Sequence, residues 1–253
     1  GKENPELEII ATTKALYSQK KFKDDNEHPI CRIPARYKFL KKRLNLKTLS
    51  LSKCTKQKKF IKKLAAKSVS IVFSSYFLDT PASAFGHTLI RLGKEKRNRF
   101  ELLDYATNYA ANATTGNAFL YGMLGMVGGF RGEFAAMPYF YKVREYNDFE
   151  SRDLWDYELN LSQDEVDMIT SHIWEMSQTH FDYYYFDENC SYFMLALLDT
   201  ASDKWNLANR TSTFVVPVDT IKLVTQTPGL LRRVSYRPSK MRVTKQKLKQ
   251  LSD

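Results

Sequence analysis

Long apolar runs are missing from this sequence. No stretch approaches the about 20 residues that a helix needs to cross a bilayer, and the N-terminus has no signal-peptide pattern. The chain therefore reads as soluble, or as the soluble part of something longer from which a secretion signal has gone. Cysteine and histidine are scarce, at three and four. None of these residues stand at the close spacing of a zinc site, and the acidic residues are scattered, so no metal or other cofactor is implied. A G-x-S-x-G elbow is absent, which removes the usual serine hydrolase. Without zinc-finger spacing or an RNP-type aromatic signature, the chain's many basic residues do not point to nucleic acid.

With 43% hydrophobic residues over 253 positions, the chain can bury one good core. Its net charge of +11 is segregated. Residues 1–68 hold 19 Lys/Arg against 6 Asp/Glu, residues 69–228 hold 12 against 21, and residues 229–253 hold 8 against 1. The expected organisation is a basic helical N-terminal extension (1–67) packing on a mildly acidic main domain (68–228), followed by a basic C-terminal extension (229–253). Such basic flanks are either solvated surface or a means of holding anionic lipid headgroups, each basic residue contributing about 1 kcal/mol near the surface.

From Ser68 to Phe77 the residues alternate with period two and are rich in β-branched and aromatic types, which predicts a strand. A short strand follows at Thr88–Leu92, then a charged turn from Gly93 to Arg99 and a returning strand from Phe100 to Tyr105. That hairpin brings a residue near 104–106 beside His87. Residues 106–137 read as a loop rich in Ala, Asn, Gly and Met, with glycine at five positions between 122 and 132. It is either a flap that receives a hydrocarbon chain or a buried crossover. Further strands are expected at Tyr139–Tyr146 and Asp153–Leu161, and Ser162 to Glu165 is a capping box opening a helix with Val166, Ile169, Ile173 and Met176 on its core side. The resulting fold class is α+β, an antiparallel sheet packed on a central helix.

That central helix opens at Asp187-Glu-Asn-Cys190, where a polar tetrad precedes the apolar run from Tyr192 to Leu198. A thiol in the first turn of a helix faces free N–H groups and the positive end of the helix dipole, and a nearby imidazolium can bring its pKa from about 8.5 to somewhere around 3.5 to 7.5. The plainer alternative is a buried structural cysteine. A cysteine nucleophile needs a base, and the base needs a third group to hold its tautomer. Among the histidines, His87 is the best base, because His28 lies in the basic extension and His172 and His180 lie on or just past an amphipathic helix. Asp104 is the first choice for the orienting group and Asn108 the second. Asn189 and the backbone N–H of Cys190 are candidates for an oxyanion hole, and Ser83 is a weaker candidate nucleophile near His87. Cys31 and Cys54 can pair with each other, leaving Cys190 over, as an extracytoplasmic thiol enzyme would show; three reduced cysteines in a cytosolic protein is the alternative.

Strand, Ser-x-Phe-Gly-His-Thr, hairpin and a later Asp-x-Asn-Cys helix start resemble the circularly permuted branch of the papain-like NlpC/P60 superfamily. There, as in the lecithin:retinol acyltransferase group, His precedes Cys. More closely, Pro81-Ala-Ser-Ala-Phe-Gly-His87-Thr, Leu103-Asp-Tyr105 and Asp187-Glu-Asn-Cys190 resemble the periplasmic domain of the Lnb family of bacterial lipoprotein N-acyltransferases. The segment Cys31-Arg-Ile-Pro-Ala-Arg36 also looks like bacterial members of this domain family, and the likeness spans roughly residues 28–205. It implies a thiol acyltransferase with Cys190, His87 and Asp104 as catalytic residues. A phospholipid would be the acyl donor and a lipoprotein or peptide amine the acceptor. The setting would be the periplasm of a Gram-negative-type bacterium, at a membrane surface. The alternatives are a cysteine amidase or peptidase acting on cell-wall peptides, or a non-catalytic envelope-binding module. Two departures stand out: Asp104 replaces the His of the retinol group, and the membrane-spanning part associated with Lnb proteins is not in this sequence.

Overall fold

The residues of Ser68–Ser74 form a strand buried on both faces, with Val69 and Ile71 on one side and Val72 on the other. In the computed structural model, which describes residues 4–18, 20–49, 53–77, 84–94, 100–112, 115, 117–211 and 214–252, this strand lies near the middle of a seven-stranded sheet. The strands are β1 (Ser68–Ser74), β2 (His87–Gly93), β3 (Tyr105–Asn112), β4 (Phe130–Pro138), β5 (Leu154–Leu159), β6 (His180–Tyr183) and β7 (Leu231–Arg237). Their order is β6-β4-β3-β2-β1-β5-β7, and every recorded pairing is antiparallel. The α+β reading with an antiparallel sheet holds.

Registers place His87 opposite Ser74, Ser74 opposite Leu154, Leu154 opposite Arg237, Arg131 opposite Asn112, and Tyr183 opposite Phe130. One end of the sheet therefore gathers the end of β1, the start of β2, the end of β3, the start of β4 and the end of β6. Helix α5 (Ala118–Met126) bridges β3 and β4 at this same end.

Two helices cover one face. The capping box predicted at Ser162 forms, with both reciprocal bonds, and opens α7 (Gln163–Met176). Its Val166, Ile169 and Ile173 pack with Met194, Leu195, Leu197 and Leu198 of α8 (Cys190–Asp199) against Val69, Ile71, Ile90 and Leu92. Burying each such side chain is worth about 1.5–3 kcal/mol. Helix α9 (Pro217–Gln226) completes this layer. The opposite face is covered by α6 (Tyr139–Val143) and the π-helical turn Arg144–Phe149, whose Tyr139, Val143 and Tyr146 meet Val72, Leu89, Ala106 and Leu154.

The N-terminal helices are α1 (Pro5–Leu16), α2 (Pro29–Arg32), α3 (Pro34–Leu44) and α4 (Thr55–Leu64). They are joined by a Cys31–Cys54 disulfide with Cα atoms 5.1 Å apart. They dock on α7, where the buried Glu175 carboxylate accepts from the N–H groups of Ala35 and Arg36 at 2.6 and 3.0 Å, and Trp174 Nε1 donates to Cys31 O at 2.7 Å.

Four expectations are corrected. Residues 106–137 are not a structureless loop: β3, α5 and β4 occupy most of them, with eight paired positions between the two strands. Gly132 belongs to this ladder, and a Cβ there would run into the Tyr109 hydroxyl that crosses over it. Residues 139–146 are helical, because their β-forming types sit at spacings of four and three, so that Tyr139, Val143 and Tyr146 share one buried side. The strand expected at Phe100–Tyr105 begins only at Tyr105, after a 3-10 turn at Glu101–Leu103. Finally, the basic residues after 228 start with β7, which pairs with β5 from Leu159 to Leu154, before the exposed helix α10 (Lys240–Ser252).

Candidate active site

Helix α8 starts at Cys190 because Asn189 caps it: the Asn189 Oδ1 accepts from the N–H groups of Ser191 and Tyr192 at 2.9 and 3.3 Å. The amide nitrogen of Asn189 donates to the carbonyls of Tyr185 and Val215 at 2.9 and 2.7 Å. Both amide hydrogens are thus engaged, so the Asn189 side chain has no donor for an oxyanion. This corrects that expectation and leaves the first-turn N–H of Cys190 as the candidate donor. Asn189 instead fixes the thiol in place by holding the helix start between two flanking segments.

His87 opens β2. Gly86 before it adopts φ +87°, and a Cβ there would stand 2.7 Å from Ser74 O, so only glycine lets the chain enter the strand this close to β1. Strands β2 and β3 pair over Ile90–Leu92 and Tyr105–Thr107, short of His87, and into the space beyond that ladder comes Cys190. Its sulfur stands beside the His87 side chain and the backbone N–H of Thr88, both of which act on its charge, with the Ser191 hydroxyl 4.0 Å away. The thiol expected at the helix start and the histidine chosen as its base therefore lie side by side.

The third group is Asn108. Its Oδ1 meets His87 Nε2 at 2.5 Å. An amide oxygen only accepts, so Nε2 carries the proton and Nδ1 is left for the sulfur. Tyr146 lies beneath the imidazole, ring centroids 5.9 Å apart.

Asp104, the first choice, is elsewhere. Its carboxylate accepts from Arg91 Nη1 at 2.6 Å and from the N–H of Lys94 at 3.0 Å. The hairpin expectation erred by two side-chain steps on one sheet face: because β3 resumes only at Tyr105, Asp104 falls beyond Leu92 at the far end of the ladder, and Asn108 comes alongside His87. Ser83 lies outside the described residues.

Burial pushes the Cys190 thiol up, but the His87 charge beside it, the hydrogen bond to that ring, the Thr88 N–H and the Ser191 hydroxyl outweigh it and bring the thiol down to about 7. Burial alone would lower His87; the facing Cys190 thiolate, its hydrogen bond and Asn108 more than offset this, against a smaller opposing effect of Lys142, and raise it above its ordinary value. Each group favours the charged form of the other, which is the condition for a thiolate–imidazolium pair near neutral pH.

The sulfur borders a small open cleft lined by Phe85, Gly86, Tyr183, Tyr185, Phe186, Asn189, Val215, Val216 and Pro217. This lining is mainly aromatic and aliphatic, with Tyr183, Tyr185 and Asn189 carrying its polar groups. Among the described residues, no group of three or more His, Cys, Asp or Glu is arranged to hold a metal ion.

Comparison with known families matches residues 56–227, which contain His87, Asn108 and Cys190, to the Lnb N-terminal periplasmic domain. The chain belongs to this family. The match of this Lnb domain begins upstream of residue 68, so α4 is included with the sheet. Residues 1–43 match a second family, a domain of unknown function (DUF7843). No curated protein and no solved structure matches the chain. The Lnb family is periplasmic, and the Cys31–Cys54 disulfide suits an oxidising compartment. Among the described residues, no helix of the Lnb domain is long and apolar enough to cross a membrane.

Proposed function

We propose that this Lnb domain is a cysteine acyltransferase of permuted papain-like, NlpC/P60-type architecture, moving an acyl chain from a phospholipid to an amine. The observation that carries the reading is the juxtaposition of Cys190 and His87, with the thiol lowered to about 7, at the wall of an aromatic-lined cleft. In the first half-reaction the Cys190 thiolate attacks the ester carbonyl carbon. The carbon–oxygen bond breaks, and the lysophospholipid alkoxide takes the proton from His87 Nδ1, leaving a thioester on Sγ. In the second, an amine attacks the thioester carbonyl and gives a proton to neutral His87. The carbon–sulfur bond breaks to restore the thiolate, and the acyl chain leaves as an amide. Asn108 holds the imidazole in the tautomer that serves both steps, and the N–H of Cys190 at the helix N-terminus stabilises the tetrahedral oxyanion.

The acceptor fitting the family resemblance is the α-amino group of a lipoprotein. A chain of methylenes suits the Phe85, Tyr185 and Phe186 walls, whereas a polar cell-wall peptide would leave its amides unpaired there. Incubation with dispersed phosphatidylethanolamine, followed by intact mass measurement, tests the first half-reaction. Wild type should gain the mass of one acyl chain, removable by hydroxylamine, and Cys190→Ala should gain none. Absence of an adduct, or an adduct that survives Cys190→Ala, removes the thioester. Adding a lipopeptide with a free N-terminus should then produce an amide; cleavage of cell-wall peptides with no acyl adduct would instead make the domain an amidase.

A further inference from the structure

From Tyr105 to Phe130 the sequence has no charged residue, in a chain that is 26% charged overall. At the centre of this stretch α5 is a properly capped helix, with Asn117 Oδ1 accepting from the N–H groups of Phe119 and Leu120 at 3.0 and 3.1 Å. It is apolar on two sides. One side turns inward, where Tyr121 meets the Phe130 ring and Gly125 lies against Tyr185. The other presents Phe119 (77% exposed), Leu120, Met123 (48%), Met126 (57%) and Val127 (69%), at the i, i+1, i+4, i+7, i+8 spacing of a continuous helical face.

Two features say what covers this face. The first is continuity with the site. Tyr185 N–H donates to Gly125 O at 2.8 Å, so the segment that lines the cleft is tied to α5. Phe85, Phe186, Phe214 and Val218 extend the exposed apolar surface around the cleft mouth. The second is charge. A protein partner docks through an apolar centre ringed by polar and charged groups that set its register. The 26 consecutive positions from Tyr105 to Phe130 carry no charge, as contact with hydrocarbon requires. Charge of both signs begins outside it: Arg131 is exposed at the start of β4 opposite the exposed Asp182 of β6, and Asp187 is exposed next to Phe186. An uncharged apolar helix face with charge only beyond its edges matches the interface of a phospholipid bilayer, where a helix lies with its apolar side about 5–10 Å deep.

We propose that α5 and Val127 insert into the surface of a phospholipid bilayer, placing the cleft mouth at the lipid so that an acyl chain reaches Cys190 along Phe85, Tyr185 and Phe186. The docking stands by itself; the delivery of the chain rests on the acyl-transfer reading. Flotation of the full chain with vesicles of phosphatidylethanolamine and phosphatidylglycerol tests it, comparing wild type, Met123→Glu/Met126→Glu and Cys190→Ala. Both methionines are exposed, so unchanged circular dichroism and melting temperature will show that the double variant folds. Wild type and Cys190→Ala should float alike, and the double variant should lose roughly tenfold or more in partitioning per substitution. Equal flotation of the double variant, or no flotation of wild type, overturns the docking. If instead sedimentation shows a wild-type dimer that the double variant loses while its vesicle binding is unchanged, the face belongs to a second copy and the proposal falls. An acyl adduct from detergent-dispersed lipid on a double variant that still floats would sink the docking and leave the thioester standing.

Discussion

Two buried polar clusters share one face of β2 and β3, four residues apart along β2. At the sheet end near α8, His87 meets Asn108 and Cys190; further along, Arg91 meets Asp104, Asp156 and Ser70. The Arg91 guanidinium makes four hydrogen bonds to these three groups, and Asp104 is closed off further by the Lys94 N–H. Nothing in that cluster is left to act on a substrate. The His87 cluster has one ring nitrogen held by an amide and the other turned to a sulfur that borders a cleft. A buried cation requires anions around it, so the carboxylate belongs with Arg91, while an imidazole needs only one acceptor to fix its tautomer, which a neutral amide provides. Polar residues of similar type, on one face of the same two strands, thus divide into a structural set and a chemically available set according to whether their bonding capacity is used up.

The sharpest break in this comparison is Asp104→Ala. It leaves the buried Arg91 with Asp156 as its one carboxylate partner and should lower stability by about 3 kcal/mol in urea titration, while the alkylation rate of Cys190 in folded protein stays at the wild-type value. A stable Asp104→Ala variant with an unreactive thiol would reverse the assignment of the two clusters.

Next in size is His87→Ala, read by iodoacetamide alkylation of Cys190. With the thiol at about 7, half is thiolate at pH 7; without the imidazolium, burial pushes it to its ordinary value or above, and the rate at pH 7 should fall roughly fifteenfold or more. The sign also fixes the wild-type pH profile. A lowered thiol keeps its thiolate down to about pH 7, so the rate should be level from pH 9 to 8 and decline below 7. A profile still climbing at pH 9 would mean that the pair does not form.

The smallest effect belongs to Asn108→Ala, which removes the acceptor for Nε2. It should cost about 1 kcal/mol of stability and about tenfold in acylation rate, and Asn108→Asp should restore the rate. An Asn108→Ala variant with the wild-type acylation rate would show that the ring is held by packing on Tyr146 instead.

Local signals carried much of the fold. The capping box at Ser162, the strand from Ser68 and the helix start at Cys190 each depend on a few adjacent residues, and each forms as read. The segments misread were those where residue type and environment disagree. The aromatic run from Tyr139 turns inward as a helix beneath the sheet, and the glycine-rich residues before it gain strand bonds only because β3 and β4 lie side by side. At the site, Cys190 and His87 were legible and Asn108 was ranked second, because register depends on where β3 resumes after the turn rather than on the residues that pair.

By itself, the sequence determined which end of α8 would carry the thiol, since Asn189 and the apolar run after it form a helix start in any packing, and it limited the base to one well-placed histidine. Only tertiary structure decided that Asn108 rather than Asp104 faces that histidine, that both hydrogens of the Asn189 amide are taken by distant carbonyls, and that Cys31 is bonded to Cys54. The physical reason is range. Capping and periodicity are settled within a turn or two of chain, whereas strand register and the partners of a buried amide follow from how the whole sheet closes on its helices.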